Sequence, residues 1–396
     1  MIKILIADDS AFMRLSIDKM LSREPDFSVV GFCNNGEEVI SKILELKPYV
    51  LTLDIEMPKM NGLQVLEKIM NECPMPVIMV SSLTKSGTEE TIKALELGAV
   101  DVVAKPGSFV SLKITDIFEE LSQKIKYASK ARVKKTVEKS LEKQIESNNA
   151  KLRFLSEKIK SKAEQIAKDI NLIDYKPLIK VPLEVKDNSS KTIENQIITD
   201  NKADFKPEII MIGVSTGGPA SIQKIVLKLP EDFPCGIIIA QHMPPGFTKS
   251  LALRLNSLAK IEIKEAEEGD AIKPGRVLIV PSGMQTRIKK RFVGFHTSIS
   301  EDEEKSYLYR PCIDVLFSSG AEMYKNKALG IIMTGMGNDG TRGCEDIKKF
   351  GGKVFVQSED TCVVSTMPHS VIKSGLADKV YPLDSLADSI INLFKT

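Results

Sequence analysis

The first 125 residues repeat one unit five times: a short run of aliphatic and β-branched residues, then a helical pattern. The expected strands are Ile2–Ala7, Phe27–Cys33, Tyr49–Leu53, Pro76–Val80 and Asp101–Ala104. The expected helices are Ser10–Leu21, Gly36–Leu46, Leu63–Asn71, Thr88–Leu97 and one beginning near Ile114. A helix between consecutive strands is the crossover that brings the chain back to start the next strand in the same direction. Five such units predict a doubly wound parallel α/β sheet.

Polar residues fall where such a sheet collects its ligands, at the carboxyl ends of the strands. Asp8 and Asp9 follow the first strand, Asp54 the third, Ser81 and Ser82 the fourth, and Lys105-Pro106 the fifth. Carboxylates crowded on one edge repel each other unless a divalent cation lies between them, and hard oxygen ligands suit Mg²⁺. A nearby lysine can hold a phosphoryl oxygen, and one carboxylate can act as nucleophile to become an aspartyl phosphate. Capping of the next helix accounts for one aspartate but not for four decorated strand ends. Asp8-Asp9, Asp54, Met57-Pro58, Asn61-Gly62, Ser81 and Lys105-Pro106 together resemble the receiver domain of two-component response regulators. The resemblance implies a flavodoxin-like (βα)5 fold, Asp54 as phospho-acceptor, Asp8, Asp9 and Asp54 around Mg²⁺, and Ser81 and Lys105 as sensors of the phosphoryl group. Many receivers carry an aromatic residue three positions before the lysine; here that position is Val102.

From 126 to 206 the composition changes, with lysine and glutamate abundant and the βα rhythm lost. Leu141, Ile145, Leu152, Leu155, Ile159, Ile166 and Ile173 follow a 3/4 spacing, which fits a solvated helical linker or a weak coiled coil. Asn148, Lys162 and Asp169 interrupt that seam. Asp187–Lys206 has little apolar content and is expected to be disordered.

The third segment, 207–396, returns to the alternating pattern. Strands are expected at Ile209–Val214, Gly236–Ala240, Ile261–Lys264, Val277–Val280, Leu329–Thr334, Val354–Gln357 and Lys379–Tyr381. Helices are expected at Gly246–Ala259, Cys312–Tyr324, Thr341–Phe350, Pro368–Ser374 and Leu383–Phe394. Met284–Ser300 reads as a β-hairpin inserted in the sheet. This is a second doubly wound, mainly parallel α/β domain.

Its first strand runs into Gly213-Val214-Ser215-Thr216-Gly217-Gly218-Pro219. The match to G-x-S-x-G suits a nucleophile on a strand-to-helix turn, and a Gly-rich turn suits a phosphate loop equally well. The chain has three histidines. His242 ends the strand after Ser215 and shares its edge, whereas His296 lies on the hairpin and His369 opens a helix. Position therefore favours His242 as the base. Leu329–Thr334 ends in Gly335-Met336-Gly337-Asn338-Asp339-Gly340, so Asp339 reaches the same edge. It can orient an imidazole or merely cap the next helix. The order Ser…His…Asp is not that of the α/β-hydrolases.

These segments, with Gln241-His242-Met243 and Arg310-Pro311-Cys312-Ile313-Asp314-Val315-Leu316-Phe317, are similar to the catalytic domain of the CheB methylesterase family. That resemblance implies demethylation of glutamate methyl esters and deamidation of glutamines on methyl-accepting chemotaxis receptors. Implied roles are Ser215 nucleophile, His242 general base then acid, Asp339 orienting group, and the backbone N–H groups of Thr216 and Met336 as oxyanion hole. No cofactor is implied for the esterase, and a CheA-type histidine kinase is implied as phosphodonor.

Composition narrows the rest. At 396 residues the chain exceeds one ordinary core, and a net charge of +2 gives no prior for nucleic acid. Met1–Ala7 is too short for a signal-peptide core, and no apolar run is long enough to span a bilayer. Six scattered cysteines without metal-ligand spacing read as reduced thiols, so a cytoplasmic protein without membrane insertion is expected. Two rivals remain: a non-enzymatic response regulator whose second domain binds a nucleotide at Gly213–Pro219, and a transcription regulator. Gln241-His242, where a dinucleotide fold favours an acidic residue, counts against the first. The missing helix-turn-helix signal counts against the second.

Overall fold

The computed structural model describes residues 1–82, 84–105, 114–131, 133, 205–301 and 307–395. The helical seam expected from Leu141 to Ile173 lies outside the described residues, as does nearly all of the expected disordered stretch.

The N-terminal half runs β1 (Ile2–Ala7), α1 (Ala11–Leu21), β2 (Phe27–Cys33), α2 (Gly36–Leu46), β3 (Val50–Asp54), α3 (Gly62–Glu72), β4 (Val77–Ser81), α4 (Lys85–Leu97), β5 (Asp101–Ala104) and α5 (Ile114–Ala128). The sheet order is β2-β1-β3-β4-β5, with every pair parallel. Residues of β3, β4 and β5 are buried at every position, because helices cover both faces of a parallel sheet. Each fully buried Ile, Leu or Val contributes about 1.5–3 kcal/mol.

Local sequence sets where the helices begin. Ser10 accepts the Met13 amide at the start of α1, and Asn61 and Gln64 form a capping box on α3. A Cβ on Gly62 would lie 2.1 Å from the Asp54 carbonyl oxygen, so only glycine lets α3 start against the end of β3.

The C-terminal half contains β6 (Ile209–Val214), α6 (Gly218–Val226), β7 (Gly236–Gln241), α7 (Phe247–Leu258), β8 (Glu262–Glu265), β9 (Arg276–Ile279), β10 (Gln285–Lys290), β11 (Phe295–Ser300), α8 (Ile313–Tyr324), β12 (Ala328–Ile332), α9 (Thr341–Lys349), β13 (Lys353–Gln357), α10 (Thr366–Lys373), β14 (Lys379–Tyr381) and α11 (Leu383–Asn392). Seven strands form one sheet in the order β14-β13-β12-β6-β7-β9-β8, all parallel. On one side of β6 the chain runs to β7, then to the edge strand β8, and back to β9 between them; it then returns to build β12, β13 and β14 outward on the other side. The switch point between β6 and β12 opens the crevice where such sheets bind ligands.

The hairpin forms, but as a separate two-stranded antiparallel ribbon, β10 with β11, not within the large sheet. Ile288 is buried in a core shared with α8 while Lys289 and Lys290 face solvent, and one apolar face needs one covering element.

Candidate active site

Parallel register brings Ser215 and His242 together. Val214 pairs with Gln241 at the last registered position of β6 and β7, and the His242 amide donates to the Val214 carbonyl at 3.1 Å. The Gln241 amide nitrogen fastens the two strand ends by donating to the carbonyls of Ser215 and His242, both at 2.9 Å. From the other side of β6, the loop after β12 delivers Asp339. Its Oδ2 lies 2.8 Å from His242 Nε2. The Asp339 carboxylate also accepts the Ile313 amide at 2.7 Å and the Asp314 amide at 3.0 Å, the first N–H groups of α8. Burial works to raise its pKa, but the His242 bond and these amides win and hold it below the usual carboxylate range. An ionised Asp339 accepting at Nε2 leaves Nδ1 as the imidazole's basic nitrogen. Nδ1 is buried and has no hydrogen-bond partner among the described residues.

The turn after Ser215 exists because Gly217 takes φ 75°, and Pro219 opens α6. Gly335 presses against Ser215 at the end of β6. A Cβ there would lie 2.7 Å from Ser215 Cβ and 2.3 Å from Met367 Sδ. The Thr216 and Met336 amides flank this contact, Thr216 next to Ser215 and Met336 next to Gly335. Thr334 ties the two loops, its hydroxyl donating to the Thr216 and Val364 carbonyls at 2.9 and 3.1 Å. His296 is part-buried on β11, and His369 is an exposed helix residue 3.1 Å from Glu359.

At the edge of the five-stranded sheet, Asp8, Asp9 and Asp54 each present a carboxylate oxygen within 4.8 Å of the others. Asp8 and Asp54 are buried and Asp9 is exposed. This all-oxygen, acidic set fits a hard divalent cation. Lys105 Nζ sits 2.6 Å from Asp54 and 3.1 Å from Asp8. Burial pushes the Asp54 carboxyl up to about 6 despite Lys105, and the Asp8 charge adds to the rise. The Ser81 hydroxyl lies within hydrogen-bond reach of the Gly87 carbonyl at 3.3 Å and the Ser82 carbonyl at 3.4 Å.

Residues 210–390 match the CheB methylesterase family, and residues 4–115 match the response regulator receiver domain. A protein-glutamate methylesterase/protein-glutamine glutaminase of Oleidesulfovibrio alaskensis is 39% identical over 394 residues, covering 99% of each chain. That of Thermotoga maritima is 38% identical over 392 residues, covering 99% of this chain and 98% of its own.

The chain belongs to the CheB methylesterase family.

A crystal structure of the Thermotoga maritima CheB methylesterase catalytic domain is 42% identical, spans 48% of this chain and 99% of its own, and superposes with a TM-score of 0.46.

In this family member three features of the site carry no sequence motif. Tyr309 stacks on His242, with ring centroids 4.3 Å apart and planes 11° apart. Residues 362–367 buttress the loop after β12: the Gly335 amide donates to Val364 O, and the Thr366 hydroxyl to Gly335 O. The receiver touches the turn after Ser215 itself. The Thr216 hydroxyl donates to Asp101 Oδ2, and the Gly217 amide to the Val100 carbonyl at 3.3 Å. α4 adds an Arg254–Glu96 fork at 2.9 and 3.0 Å and a Thr88–Ser250 bond at 2.9 Å. Pattern reading misses these contacts because their partners lie far apart in the chain.

Proposed function

We propose that the chain hydrolyses glutamate methyl esters, releasing methanol, and deamidates glutamines on chemotaxis receptors, under control of its receiver. The observation that carries this reading is the Asp339 carboxylate on His242 Nε2, which leaves a buried Nδ1 without a hydrogen-bond partner among the described residues, on the strand end adjacent to that of Ser215. Ser215 attacks the γ-carbonyl while His242 Nδ1 takes its proton, and Asp339 stabilises the imidazolium. The amides of Thr216 and Met336 hold the oxyanion, each worth about 3 kcal/mol in related chemistry. His242 returns the proton to the leaving methanol, and water then frees the glutamate. A glutamine amide loses ammonia by the same route, so the esterase uses no cofactor.

Asp54 is the phospho-acceptor, with Asp8, Asp9 and Asp54 holding Mg²⁺, which supplies charge neutralisation to phosphoryl transfer. Ser81 and Lys105 bind the transferred group, which draws Ser81 away from Gly87 at the start of α4. Val102 is an aliphatic, buried strand residue whose carbonyl accepts Lys124 Nζ at 2.5 Å, so the signal passes through α4 and not through an aromatic flip. A CheA-type histidine kinase supplies the phosphoryl group. No described helix is long and apolar enough to cross a membrane, and we place the enzyme in the cytoplasm.

The deciding experiment measures methanol release from methylated receptors with and without a small phosphodonor. We expect Ser215→Ala and His242→Ala to lower kcat on the order of 10⁶-fold, and Asp339→Asn about 10⁴-fold. Wild-type turnover by Ser215→Ala would overturn the nucleophile assignment.

A further inference from the structure

The single bond to Asp339 fixes one corner of the His242 ring but not its plane, because an imidazole can swing about its Cβ–Cγ axis with that bond kept. Something else must hold the plane so that Nδ1 meets the serine. Tyr309 is in the position to do so, since its ring lies almost parallel to the imidazole at 4.3 Å. Tyr309 is itself held. Its carbonyl accepts the Gln285 side-chain amide at 2.8 Å, and the Gln285 oxygen accepts the Cys312 amide at 2.9 Å. Cys312 caps α8, whose first amides grip Asp339. One buried glutamine thus ties Tyr309 and Asp339 into the same frame. On the far side, a Cβ on Gly337 would come within 3.0 Å of the Tyr309 hydroxyl, so glycine there leaves room for the ring.

We propose that Tyr309 is a positioning residue: its ring sets the plane of His242 and stabilises the imidazolium formed during acylation through its π face. This rests on His242 being the base. A cation against an aromatic face gains most when desolvated, and the His242 side chain is only 9% exposed. Other titratable groups around the pair are Asp339, bonded to the imidazole, Cys312 and Asp314 at the start of α8, and Tyr127 of α5 beyond Tyr309. All of these side chains are retained in the Tyr309 variants.

The test uses the full-length chain with methylated receptors, and in parallel a fluorophosphonate that labels the active serine. Tyr309→Phe keeps the ring and should stay within about twofold of wild type. Tyr309→Leu and Tyr309→Met, both measured so that one poorly folded variant does not decide, should lower kcat about tenfold with little change in KM. Their labelling rates should fall in parallel. The acid limb of both pH profiles should move down by about one pH unit, because an unstacked imidazole is harder to protonate. A lower kcat with an unmoved acid limb, a loss confined to KM, or a Tyr309→Phe variant as poor as Tyr309→Leu overturns the proposal. Activity retained by His242→Ala overturns the base assignment and this proposal with it. With His242→Ala inactive, the Tyr309 variants judge the proposal alone.

Discussion

Two carboxylates beside the catalytic edge have opposite electrostatic characters, and their environments explain it. Asp339 gains a histidine and two helix amides and stays ionised. Asp314 accepts the Gly343 amide at 2.8 Å, but burial, together with the Asp339 charge nearby, pushes its pKa up to about 6. A carboxyl raised in the fold is protonated more readily folded than unfolded. As pH rises from about 4 to about 6, the unfolded chain therefore loses this proton first, and stability falls. Asp314→Asn keeps the acceptor for Gly343 and removes the charge. Its melting temperature should exceed that of wild type at about pH 7.5, and most of that excess should be gone near pH 4. With solvent screening at a part-exposed group, the gain should be about 1 kcal/mol, a few degrees. A variant less stable than wild type at both values would contradict the assignment of that charge as a cost.

At the scale of elements, the site depends on two loops from adjacent strands approaching closely. Gly335 makes that approach possible, because a methyl group there would collide with Ser215 Cβ and Met367 Sδ. Gly335→Ala should move the Met336 amide away from the oxyanion. The expected loss in kcat is about 10²- to 10³-fold, the effect of removing one donor. Overpacking should add a destabilisation of roughly 1–3 kcal/mol. Steady-state methanol release and a thermal melt separate the two effects, and near-normal kcat would mean that Met336 does not serve the oxyanion.

For the whole molecule, the receiver meets the esterase through both apolar packing and polar bonds: Ile92 and Leu95 of α4 share one buried hydrophobic cluster with Ile222 of α6 and with Leu251 and Leu255 of α7. Asp101 engages Thr216, and Glu96 engages Arg254, while Ser215 is left 6% exposed. Glu96→Ala lies outside the catalytic residues and removes an ion pair worth about 0.5–1 kcal/mol. Unphosphorylated Glu96→Ala should therefore hydrolyse receptor esters about two- to fivefold faster than wild type, and the phosphorylated forms should converge. Lower basal activity would make the receiver an activator. Phosphorylation itself should require the metal: labelling of Asp54 by a small phosphodonor should be lost in EDTA and in Asp9→Ala. Equal labelling without Mg²⁺ would remove the cation from the carboxylate cluster.

The alternation of short apolar runs with helices is enough to predict two parallel α/β halves. It also predicts that Asp8, Asp54, Ser81, Lys105, Ser215, His242 and Asp339 gather at strand ends, because a parallel sheet delivers all its carboxyl ends to one edge. Turn chemistry is equally local, as at Gly217-Gly218-Pro219 and Asn61-Gly62, since a backbone needing φ > 0 or close approach leaves few residue types to choose from. Strand order was not legible, because each half's crossovers can place the next strand on either side. The hairpin's detachment from the sheet depended on which face α8 covered. Which His242 nitrogen meets Asp339, the stacking of Tyr309, the brace from Gln285 and the contact of Asp101 with Thr216 were all decided in three dimensions. Each joins residues well separated in the chain, and such contacts follow from packing complementarity, which leaves no periodic trace in the sequence.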